Sequence, residues 1–81
     1  MEITKGSLVY SRSGRDKGTL FVVISTEGDW VYLADGKLRR ADKPKKKKLK
    51  HINKTNKVAE LDFENISDSM LRKALAEAGA R

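Results

Sequence analysis

Gly14-Arg15-Asp16-Lys17-Gly18-Thr19-Leu20-Phe21-Val22-Val23-Ile24 joins a charged loop, bracketed by two glycines, to an unbroken apolar run. A glycine at each end lets the backbone take positive φ without a Cβ clash, so the chain can turn tightly there. The run from Thr19 to Ser25 is rich in β-branched and aromatic residues and too short for a surface helix, which makes it a strand. Leu20, Val22 and Ile24 fall on one of its faces, Phe21 and Val23 on the other. With both faces apolar, the strand belongs to a strongly curved sheet or to one covered by a further element. Arg15 and Lys17 project beside the amides of the loop, an arrangement suited to phosphate.

Outward from this stretch the chain punctuates itself into short strands. Ser7-Leu8-Val9-Tyr10-Ser11 precedes the loop as a first strand, and Glu27-Gly28-Asp29 turns the second into Trp30-Val31-Tyr32-Leu33-Ala34. Asp35-Gly36 favours a two-residue type I′ turn, which makes Leu38-Arg39-Arg40 a short fourth strand. A final strand around Leu49 to Asn53 would close the sheet. Val31 and Leu33 share a face and are expected to meet Leu20, Val22 and Ile24 in the core. Trp30 and Tyr32 point the other way, where they could stack on unpaired bases or cover a secondary cluster beneath the carboxy-terminal segment. Five short strands with tight turns indicate a mainly β fold, a small SH3-like antiparallel barrel.

Beyond residue 57 the composition changes. Leu61 and Phe63 alternate with charged neighbours in a bridging segment, and a helix is expected over about 67–78, within the same compact unit as the barrel of residues 5–57. Ser67 can cap its start, Ile66 and Leu71 occupy the positions of a hydrophobic staple, and Gly79 can end it. Leu71, Ala74, Leu75 and Ala78 form an apolar stripe at helical spacing. So short a helix is marginal alone in water, so the stripe must bury against the open face of the barrel or against a partner protein.

Eighty-one residues allow one domain with a small core. No cysteine is present, which suits a reducing compartment. The opening MEITKGSLVY lacks a basic, apolar, cleavable organisation, and no apolar run approaches the roughly 20 residues of a membrane span. These features lead to the expectation of a cytoplasmic protein without a membrane partner. Eighteen Lys plus Arg face 11 Asp plus Glu, a formal +7. The excess is uneven: residues 1–58 hold 15 basic and 6 acidic side chains, net +9, and residues 59–81 hold 3 and 5, net −2. A polyanion partner, nucleic acid first, is therefore expected of the amino-terminal two thirds. Lys43-Pro44-Lys45-Lys46-Lys47-Lys48-Leu49-Lys50-His51-Ile52 concentrates that charge. Proline and mutual repulsion indicate an extended, solvated arm over 43–48 that attracts phosphates without discriminating sequence. His51, the only histidine, has no cysteine or clustered carboxylate beside it with which to hold a metal. No nucleophile has a base partner and no loop matches a nucleotide-cradling pattern, so neither catalysis nor a cofactor is expected.

Residues 5–54 resemble a KOW domain, the module of several large-subunit ribosomal proteins and transcription elongation factors. The likeness is greatest to the eukaryotic and archaeal fourteen-e group of large-subunit ribosomal proteins. It rests on Gly14 to Gly18, Leu20 to Val23, Ala34-Asp35-Gly36-Lys37-Leu38-Arg39 and Lys43 to His51. After about residue 57 the chain departs from that group, having a short, slightly acidic tail where the longer proteins continue with basic extensions. A short stand-alone form of bacterial type fits that length and tail. The resemblance implies an SH3-like barrel that binds structured RNA, ribosomal RNA above all, through the loop between the first two strands and adjoining basic surface. Carried over by position, the loop contributes Arg12, Ser13, Gly14, Arg15, Lys17 and Gly18. Lys37, Arg39, Arg40, Lys45, Lys46, Lys47, Lys48, Lys50 and His51 complete the expected RNA-facing set. The carboxy-terminal helix could recruit a ribosomal or transcription protein. Two other readings stand beside ribosome-associated RNA binding: a protein-binding adaptor of SH3-like fold, and a general nucleic-acid binder.

Overall fold

The computed structural model describes residues 3–79, so Ala80 and Arg81 of the expected tail lie outside the described residues, as do Met1 and Glu2. Five strands, β1 (Ser7–Ser11), β2 (Leu20–Glu27), β3 (Trp30–Ala34), β4 (Lys45–Lys48) and β5 (Ile52–Val58), form one sheet in the order β4-β3-β2-β1-β5. Every pairing is antiparallel. One turn of 3-10 helix, Leu49–His51, leads from β4 into β5, and the helix α1 (Asp68–Glu77) follows. This is the mainly β fold with a carboxy-terminal helix expected above. The sheet curves around its core but stays open, with β4 and β5 at opposite edges.

Both faces of β2 are buried, against different neighbours. The inner face collects Val9, Phe21, Val23, Val31, Leu33 and Ile52. On the outer face Leu8, Val22 and Ala34 meet Leu71 and Leu75 of α1, with Leu20, Ile24 and Ile66 around them. The partners of Val31 and Leu33 are thus Phe21 and Val23, and the expected grouping with Leu20, Val22 and Ile24 is reversed. The cause is register. Val23 stands opposite Leu33 and Val22 opposite Ala34, and a bulge between Val23 and Ser25 shifts the remaining pairs. Alternation alone could not choose, because both faces of β2 are apolar.

The expected fourth strand, Leu38-Arg39-Arg40, is a loop instead. The Asp35 carboxylate accepts the amides of Lys37 and Arg39, each at 2.9 Å, and the Arg39 carbonyl accepts those of Asp35 and Gly36 at 2.9 and 3.0 Å. Gly36 sits at φ +79°, and a Cβ there would run into the Asp68 carbonyl oxygen at the start of α1. Arg72 Nη1 donates to the Gly36 carbonyl at 2.7 Å, and Asp68 Oδ1 accepts the Ala41 amide at 2.7 Å. Local hydrogen bonds and the helix hold this segment, so it has no need of a strand partner. The fourth strand forms instead at Lys45–Lys48, immediately after Pro44, and the last strand runs over Ile52–Val58 instead of 49–53.

The helix follows its sequence signals. Ser67 Oγ accepts the Met70 amide at 3.2 Å, and the chain leaves through Gly79 at φ +84°. Leu71 and Leu75 are buried on the sheet, each such side chain being worth about 1.5–3 kcal/mol. Leu71 and Leu75 of the apolar stripe are therefore used within the fold, with Ala74 and Ala78 half-buried beside them. No helix among the described residues is long and apolar enough to cross a membrane.

Candidate nucleic-acid interface

Strand geometry decides where the lysine run points. Tyr32 pairs with Lys46 and Trp30 with Lys48, whereas Val31 pairs with Lys47 and Leu33 with Lys45. Because side chains alternate along a strand, Lys45 and Lys47 take the inner side of the sheet and Lys46 and Lys48 the outer. Lys47 is only 7% exposed. Its ammonium donates to Asp16 Oδ1 and to the Ser13 carbonyl, both at 3.0 Å, and Lys45 Nζ lies 2.9 Å from Asp16 Oδ2. On the outer side Lys46 Nζ stands 4.8 Å from the centre of the Trp30 ring and 5.9 Å from that of Tyr32, with Lys48 Nζ 5.3 Å from Trp30. Lys46 also approaches Glu27 Oε1 at 3.9 Å, and the Tyr32 hydroxyl donates to the same oxygen at 3.2 Å.

The expected solvated arm over 43–48 is thereby corrected. A run of four lysines persists as a strand because it forms an edge, where charged side chains are at home, and because every ammonium has a carboxylate or an aromatic face beside it. The same pairings place Trp30 and Tyr32 beside lysine side chains, and neither ring is part of the cluster made with the carboxy-terminal helix, which had been one candidate to cover them.

Asp16 is the hinge between the lysine strand and the loop. Its carboxylate is buried, with Ser11 Oγ donating to Oδ1 at 2.7 Å beside the two lysines. Burial alone would raise its pKa. The Ser11 hydroxyl and the Lys45 and Lys47 ammoniums outweigh that and hold the carboxyl well below the usual carboxylate range. With the Asp16 side chain drawn inward, its neighbours Arg15 and Lys17 are left exposed. Gly14 and Gly18 take φ +78° and +87°, as the tight turn requires. The amides of Arg12, Lys17, Gly18 and Thr19 are all donated to backbone carbonyls, those of His51, Gly14, Ser11 and Asp16. These four are therefore unavailable to a ligand, and the loop presents its side chains.

The expected RNA-facing residues thus separate. Arg12, Arg15, Lys17, Lys37, Arg39 and Lys50 are exposed, and none has an ion pair among the described residues. Ser13 supplies the carbonyl that Lys47 holds, and half-buried His51 accepts the Arg12 amide through its own carbonyl at 2.8 Å. Arg40 turns to the helix, 3.2 Å from Asp68 Oδ2 and 3.9 Å from Asp42 Oδ1. The loop over 12–18 and the loop over 35–40 meet across a groove of about 650 Å³ whose other wall is the last turns of α1. Lys17, Lys37 and Arg72 line it, together with Tyr10 and Leu38. Sequence reasoning missed Tyr10 and Arg72. Tyr10 shares a strand face with Leu8, yet it stays outside the cluster that α1 covers and is exposed.

Compared with known proteins, the chain matches no family model, and no curated protein is significantly similar to it.

Proposed function

We propose that this protein is a non-catalytic RNA-binding protein of the cytoplasm that grips structured RNA, ribosomal RNA first among the candidates, through the loop over 12–18 and the loop over 35–40. One observation carries the reading: the exposed cations Arg12, Arg15, Lys17, Lys37, Arg39 and Lys50 have no ion pair among the described residues and belong to loops and turns, while the lysines of β4 are held inside the fold or stand by aromatic rings. Unpaired arginine and lysine on fixed loops suit phosphate, and arginine adds a planar fork for bidentate contact. The resemblance of residues 5–54 to KOW domains supports the choice of RNA over DNA and of the ribosome as the place of action.

The test is binding of a fluorescent ribosomal RNA hairpin across a salt series. Four to six phosphate contacts would weaken binding by about 100-fold or more between 50 and 200 mM salt, and Arg15→Gln with Lys17→Gln would flatten the slope by about 1.5. Absence of binding at low salt, or an affinity indifferent to salt, would overturn the proposal and favour a protein-docking adaptor.

A further inference from the structure

The groove between the two loops and the end of α1 joins exposed apolar side chains to cations from three elements. Tyr10 and Leu38, two of the three large apolar side chains left exposed among the described residues, both line it, at 41% and 69% exposure. Lys17 and Lys37 enter from its two loops and Arg72 from the helix. The single carboxylate at its rim, Asp35, is buried and already accepts two loop amides, so the open charge of the groove is positive. Arg72 is fixed by its hydrogen bond to the Gly36 carbonyl. Tyr10 itself is held in the middle of the sheet, with Leu20 opposite on β2 and Asn53 opposite on β5. The outer-face cover that α1 gives Leu8 does not extend to it: Tyr10 is not among the residues packed with Leu71 and Leu75.

From this we infer that the groove receives a single unstacked nucleotide of the bound RNA, its base against the Tyr10 ring beside Leu38 and its flanking phosphates on Lys17 and Lys37. An aromatic ring accepts any base through its face, while cations on either side catch the backbone that must enter and leave. A fully paired helix keeps its bases stacked inside and cannot fill such a groove. A bulge, loop or end can. Charge argues for this occupant over an apolar peptide, which would leave the lysines of both loops unmatched. The inference rests on the RNA-binding reading above and adds to it a selection for interrupted helices.

The experiment compares two RNA hairpins of equal length, one fully paired and one carrying a single-nucleotide bulge with 2-aminopurine in the bulged position. Wild-type protein, Tyr10→Ala and Tyr10→Phe are titrated against each by anisotropy, with base fluorescence followed in parallel. Wild type is expected to prefer the bulged hairpin by about tenfold and to quench the 2-aminopurine. Tyr10→Ala should lose both effects while keeping its affinity for the paired hairpin, and Tyr10→Phe should retain both. Since Tyr10 is partly exposed, thermal unfolding can verify that each variant is folded. Salt-dependent binding without preference for the bulge would overturn this inference and leave the RNA-binding reading standing. Binding to neither hairpin would overturn both. An RNA affinity that Tyr10→Ala leaves untouched on both hairpins would also overturn the inference, marking the groove as a surface for protein instead.

Discussion

Lys47 on β4 and Lys17 on the neighbouring loop carry the same charge within one basic segment of chain, yet they do opposite work. Lys47 is buried, bonded to Asp16 and to the Ser13 carbonyl, and holds the loop in shape. Lys17 is exposed on that loop and has no ion pair among the described residues. The contrast extends to the neighbours of each. All four lysines of β4 contact a carboxylate or a ring, whereas among the described residues Arg12, Arg15, Lys17, Lys37 and Arg39 have no ion pair, and of the two loops' cations Arg40 alone reaches carboxylates, those of Asp42 and Asp68. A run of positive charge in sequence is therefore a poor guide to where a polyanion would bind. Lys45, Lys47 and Asp16 together present one net charge, not two, and the strand serves to orient the loop.

The largest effect expected from breaking this division follows Asp16→Ala. Removing the carboxylate leaves Lys47 buried without its counter-ion and Lys45 without its partner, a loss of about 3–5 kcal/mol in urea unfolding. Against a typical stability of about 5–15 kcal/mol, that threatens the fold. The double variant Asp16→Ala with Lys47→Met should recover most of the loss, because it removes the stranded charge as well. If Asp16→Ala costs less than about 1 kcal/mol, the strand does not support the loop and the comparison collapses.

Acid should reach the same cluster more gently. The folded-state pKa of Asp16 lies below its unfolded value of about 3.9, so its contribution to stability is complete above that value. It is lost as pH falls from about 4 towards the folded pKa. Unfolding free energy should hence change little through Asp16 between pH 7 and 5 and decline below about 4, and Asp16→Asn should remove part of that decline. A fall centred near pH 6 would mean that Asp16 does not set the acid response.

Much of the fold is legible from sequence because its signals are local. Ser67, Ile66 and Gly79 mark the helix, and the apolar run after Gly18 marks β2. What is hidden depends on pairing between distant segments. Nothing near Leu38 announces that Asp35 closes its own loop or that Gly36 lies against the Asp68 carbonyl, and nothing in Lys45 to Lys48 announces a strand. The candidate site shows the same split. Arg15 and Lys17 stand out as loop cations, whereas Lys45 and Lys47 become structural only when β4 is laid beside β3 at the register that faces them toward Asp16. Two features offered a hint: a lone aspartate in an otherwise basic loop, and a lysine run that alternation would split into two faces. Tyr10 required knowing which part of its sheet face α1 covers.

The smallest effect sharpens the comparison most, because it separates burial from charge. Lys48 is exposed, as Lys17 is, but its ammonium stands over Trp30. An exposed cation–π contact is worth about 0.5–1 kcal/mol, so Lys48→Ala should lower unfolding free energy by no more than that. Lys17→Ala touches no partner and should leave stability within about 0.5 kcal/mol. In RNA binding the order reverses. Lys17→Ala should reduce the salt slope by about 0.7–0.9, the share of one phosphate, and Lys48→Ala by less than half as much, because its ammonium would have to leave the ring to reach a phosphate. Equal reductions would mean that the outward lysines of β4 are as available to RNA as those of the loop. The division between the regions would then lie at the inner face alone, between Lys45 and Lys47 and all the other cations.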